Sequence, residues 1–121
     1  MNDFMRTPDS SEIIRQPKIE LDSETKNHLL SLTSANNSSM RSLAVRNLQF
    51  YPEHLDVLLA LIKTESEEVV INEVRNSLLA LHKIDSMKDV IEHELQKLAD
   101  KYSDDADITR FCGELLNNIN N

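Results

Sequence analysis

Residues 54–84, HLDVLLALIKTESEEVVINEVRNSLLALHKI, decide how the chain is read. Two apolar runs flank a polar, acidic hinge. Leu55, Leu58, Leu59, Leu61 and Ile62 carry the first run, and Val70, Ile71, Val74, Leu78, Leu79 and Leu81 the second. Spacings of three and four residues place each set on one face of a helix. The hinge Glu65-Ser66-Glu67-Glu68 holds no apolar residue, and Ser66 is suited to cap the second helix. Two helices joined by so short a turn lie antiparallel, as a helical hairpin.

The pattern recurs on both sides. A shift back by 29 residues brings Leu58, Leu59 and Leu61 onto Leu29, Leu30 and Leu32, and Val74-Arg75-Asn76 onto Val45-Arg46-Asn47. A shift forward by 37 brings Ser66-Glu67-Glu68 onto Ser103-Asp104-Asp105, and Ile71, Val74, Leu78 and Leu79 onto Ile108, Phe111, Leu115 and Leu116. A constant offset through both helices and their hinge signals a stack of repeated helical pairs. The longer second spacing is accommodated by about one extra turn in each of the fourth and fifth helices.

The central unit, LLALIKTESEEVVINEVRNSLLAL, resembles a HEAT repeat: a leucine-rich helix, a polar turn, then a helix opening on Val-Arg and an apolar ladder. The first unit, LLSLTSANNSSMRSLAVRNLQF, keeps Val-Arg without an acidic turn. The third, LQKLADKYSDDADITRFCGELLNNI, keeps the acidic turn but carries Phe111-Cys112 in place of Val-Arg. The resemblance implies a short α-solenoid of three antiparallel hairpins, at about 22–51, 52–84 and 85–120, behind an N-terminal arm over 1–21. A compact six-helix bundle is the competing arrangement.

Composition points the same way. A chain of 121 residues is one domain, and with 40% hydrophobic but 4% aromatic residues its core is aliphatic. A single glycine disfavours tight β-hairpins. No apolar run approaches the ~20 residues that span a bilayer, and the first residues lack a secretion signal. The expectation is a cytoplasmic protein that does not engage a membrane. Cys112 is the only cysteine, so no internal disulfide forms. The net charge is −8, and residues 61–121 hold thirteen acids against seven bases, a net of −6. Such a field repels nucleic acid and attracts a basic partner; it also aids solubility.

In chain order, Pro8 and Pro17 interrupt any helix in the arm, where Phe4 and Met5 are the sole candidates for a short linear motif. Asp22 or Ser23 caps the first helix, the second spans about 40–50, and Tyr51-Pro52 ends it. The third and fourth helices cover about 53–64 and 67–82. Asp85 or Ser86 caps the fifth, the sixth runs over about 105–118, and Asn117 to Asn121 fray.

No catalytic constellation is present. Phosphate-binding loops, dinucleotide fingerprints and nucleophile elbows each need several glycines. His93-Glu94 opens like a zincin motif, but Lys97 stands where the second histidine belongs. The expectation is no enzyme activity, no cofactor and no metal. The clusters Glu65/Glu67/Glu68 and Asp104/Asp105/Asp107 lack the glycine of a calcium loop. At the starts of the fourth and sixth helices their carboxylates complement the helix dipole, which is sufficient reason for them and leaves open that they also form one acidic ridge.

What remains is surface. The resemblance implies that the second helices of the units line a concave binding face. Between their core positions lie Arg46, Asn47, Asn72, Arg75, Asn76, Thr109, Arg110 and Gly113. Arginine and asparagine make directional hydrogen bonds. Arg46 and Arg75 are alternatively ties between neighbouring units through a carboxylate. Gly113 costs ~1 kcal/mol inside a helix and suggests close packing. The reading is a protein-binding module, an adaptor, scaffold or assembly chaperone. The alternative is an immunity protein that neutralises a basic toxin or nuclease. A homodimer would cover the apolar flank left at one end of the stack.

Overall fold

In a computed structural model the described residues, 23–120, are all-helical, with six α-helices and no strand among them. The N-terminal arm lies outside these residues. Helix α1 spans Ser23–Leu32, α2 Ser38–Asn47, α3 Leu55–Thr64, α4 Glu68–His82, α5 Asp85–Lys101 and α6 Ala106–Asn120. Two short 3-10 turns, Leu48–Phe50 and Pro52–His54, join α2 to α3. Tyr51, in non-helical backbone, ends the first, and Pro52 opens the second, where its missing N–H costs nothing. Helices α4 and α5 are the longer ones, as expected, but by more than one turn each: 15 and 17 residues against 10 each in α2 and α3, an excess of about one and a half and two turns.

The core is a single aliphatic cluster. Leu58, Leu78, Leu81, Ile91, Leu95 and Leu115 are fully buried, each contributing about 1.5–3 kcal/mol of transfer free energy. Helix α4 is central to it and packs against α2, α3, α5 and α6. Helix α1 has no fully buried residue; its Leu29 and Leu30 are half-buried against the cluster. Cys112 is a core residue, and burial pushes its thiol up to about 11, so it stays protonated at neutral pH.

The helix ends correct several expectations. Ser66 does not cap α4. The Glu65 carboxylate accepts from the Ser66 and Glu67 N–H groups instead, at 3.2 and 3.0 Å. Asp85 and Ser86 lie inside the first turn of α5, because the extended backbone at Ile84 starts the helix one residue earlier. Helix α2 begins at Ser38, where the Asn37 side chain accepts from Ser39 and Met40. Asn117 to Asn120 remain helical. No side chain packs over Gly113: a Cβ built there meets nothing within 4 Å, so close packing is not its reason.

Candidate functional site

Helices α2 and α4 pack closely against each other. Ala44 and Ser77, both about 1% exposed, keep the two backbones close. The Ser77 hydroxyl donates to the Val45 carbonyl at 2.9 Å, satisfying a buried polar group across the seam. Arg46 donates to Glu73 at 3.2 and 3.4 Å, so of its two sequence readings the inter-helix tie is the one observed.

Arg41 and Glu65 bind bidentately at 2.9 and 3.1 Å, with side chains 16% and 5% exposed. Arg41 also donates to the carbonyls of Ala35 and Asn36, which pins one interhelical hinge to the next. Burial alone would raise the Glu65 carboxyl. The Arg41 hydrogen bond, the Glu67 and Ser66 N–H groups and the Arg41 charge outweigh it and hold the carboxyl below its usual range.

Between α4 and α6 the packing differs. A cleft of about 390 Å³ opens there, with the end of α3 closing its base. Its floor is apolar: Leu61, Ile62, Ile71, Val74 and Phe111. Its walls carry Glu65, Glu68, Arg75, Asp107, Arg110 and Glu114. Both arginines are engaged within the wall. Arg75 lies over the Phe111 ring at 5.2 Å and donates to Asn72 at 2.6 Å. Arg110 pairs with Asp107 one turn before it, at 2.9 Å. Glu65 is turned inward to Arg41. Glu68 and Glu114 are exposed and have no hydrogen-bond or ion-pair partner among the described residues.

The cleft thus gathers five of the residues singled out in the sequence: Glu65, Glu68, Arg75, Asp107 and Arg110. The others lie apart from it. Asn47 donates to Leu43 of its own helix, and the Thr109 hydroxyl to Asp105 and Ala106 of its own. Asp105 caps α6, accepting from Asp107 and Ile108 N–H at 3.1 Å. Asn76, Glu67 and Asp104 are exposed away from the cleft. No group of three or more His, Cys, Asp or Glu side chains among the described residues is placed to hold a metal ion. No helix among them is long and apolar enough to cross a membrane.

No protein-family model, curated protein or solved structure matches this chain. The site therefore stands on its geometry alone. Arg41, Glu73, Ser77 and Glu114 went unselected in the sequence. For Ser77 a signal existed: it falls at the 70, 74, 77, 81 spacing of the buried face of α4. So did one for Glu114, which occupies the column of Ser77 one repeat later. Arg41 and Glu73 have partners 24 and 27 residues away, which no local pattern reveals.

Proposed function

We propose that the chain is a short α-solenoid of three HEAT-like hairpins, and a non-enzymatic module that binds another protein through the α4–α6 cleft. The ties from α2 to the α3–α4 hinge and to α4 span 24, 27 and 32 residues, bracketing the repeat offset of 29, which supports stacked units. The observation that carries the binding reading is the cleft itself. A concave apolar floor under a charged rim is the anatomy of a recognition surface, with anchors below and selectivity at the edge. The chain's biological role in this reading is that of an adaptor, scaffold or assembly chaperone.

The test is affinity purification of the tagged chain from its native source, with mass spectrometry of what is retained. An equimolar protein partner is expected, and its absence would remove the reading. The acidic rim also favours a second version, an immunity protein covering a basic active site. Steered association of that kind is fast and falls steeply with ionic strength. An association rate indifferent to salt would rule that version out.

A further inference from the structure

Resting on that reading, we infer that the occupant of the α4–α6 cleft is a basic amphipathic helix of the partner. Aliphatic side chains one turn apart on that helix seat on Ile62 and Ile71, which are half-buried in the floor. Flanking lysine or arginine side chains pair with Glu68 and Glu114.

Three observations fix this chemistry. The first is the state of the charges. Arg110 is already paired with Asp107, and Arg75 is held by the neutral Asn72 amide and the Phe111 ring, whereas the Glu68 and Glu114 carboxylates have no partner among the described residues. Two unanswered carboxylates outnumber the one guanidinium without a carboxylate partner, so the complement is a cation. The second is shape. The walls run from Glu68 to Arg75 on α4 and from Asp107 to Glu114 on α6, about 10 Å or two helical turns. A groove of that length between two helices suits apolar anchors at i and i+4 of a third. The third is the field. Residues 61–121 carry a net −6, which steers a basic segment toward this half of the molecule.

The experiment uses the full chain and two labelled probes, an amphipathic Leu–Lys helical peptide and its Leu–Glu counterpart, followed by fluorescence anisotropy. The Leu–Lys peptide is expected to bind, and the Leu–Glu peptide is not. Paired Glu68→Lys and Glu114→Lys substitutions weaken binding by about tenfold or more. Asp89→Lys and Asp100→Lys together, exposed on α5 outside the cleft, change net charge equally and leave it unaltered. Equal loss in both double variants would overturn the proposal, since general charge would then explain the binding.

A measurement on the unmodified chain guards against a misfolded variant: amide shifts on adding the Leu–Lys peptide centre on Leu61, Ile71 and Phe111. Shifts elsewhere, or a stable dimer of the chain that occludes the cleft and excludes the peptide, would also overturn it. A native partner retained equally by the chain and by the Glu68→Lys, Glu114→Lys variant would spare the protein-binding reading and remove this occupant. Recovery of no partner would remove both.

Discussion

The two seams beside α4 occupy corresponding positions, and one is closed where the other gapes. The repeat offsets align their residues. Ser77, which reaches the Val45 carbonyl in the first seam, corresponds to Glu114 in the second. Arg46 and Glu73, an attracting pair, correspond to Arg75 and Arg110, two cations lining one cleft. Arg41 and Glu65 correspond to Val70 and Tyr102, which form no ion pair with each other. All three ties are lost at once, and Phe111 adds bulk where the first seam has Val74. Like charges and a large acidic side chain hold apart what a hydroxyl and a salt bridge draw together. A tied seam and an open cleft thus flank the same helix, and a few polar positions distinguish them.

Importing the chemistry of the open seam into the closed one should have the largest effect. Ser77→Glu buries a carboxylate against the Val45 carbonyl with no cation in reach. We expect a loss of roughly 4 kcal/mol, seen as a collapse of the urea midpoint. A small change would mean that α2 and α4 separate easily, and that the contrast between the seams is shallow.

Next in size is Glu65→Ala. It strips Arg41 of its anion and two hinge N–H groups of their acceptor, for about 2 kcal/mol at neutral pH. The sign of the pH dependence follows from the direction of the shift. The Glu65 carboxyl titrates below its unfolded value of roughly 4.3, so its contribution is complete above that value. It is lost as the pH falls through the lower, folded value. The stability gap between the two proteins should therefore narrow in acid. A gap constant from neutrality to acid would assign the hinge to packing rather than to charge.

These residues also mark how far the sequence could be read. Apolar spacing located every helix, because burial of a stripe dominates where a helix forms. It also located the core through Val70, Val74, Leu78 and Leu81. Polar roles were harder. Ser66 looked like a cap, yet Glu65, held in place by Arg41, reaches the same N–H groups from one residue earlier. That depends on a contact 24 residues away, invisible to any window along the chain. Ser77 drew no reading, although its spacing put it inside. The two acidic clusters read alike, but one contributes a buried ion pair and the other a helix cap through Asp105. The cleft was legible only in fragments: its charged residues other than Glu114 were named, while its apolar floor read as ordinary core.

The smallest expected change concerns Gly113, on the α6 side of the open seam. Its columns in α2 and α4 are Asn47 and Asn76, so glycine is peculiar to the last unit. It sits in a helix interior, exposed, with open space where a Cβ would point. Nothing in the fold requires glycine there, and no positive φ does either. Gly113→Ala should stabilise the chain by about 1 kcal/mol, read as a higher thermal midpoint. Stability and binding then separate the reasons for the residue. A gain in stability with weaker peptide binding would place a partner's backbone against this turn of α6, extending the contact beyond Glu114. A gain with binding unchanged would confine the partner to the cleft. A loss of stability would mean that α6 moves against a neighbour in solution, and that the open seam closes further than its cleft implies.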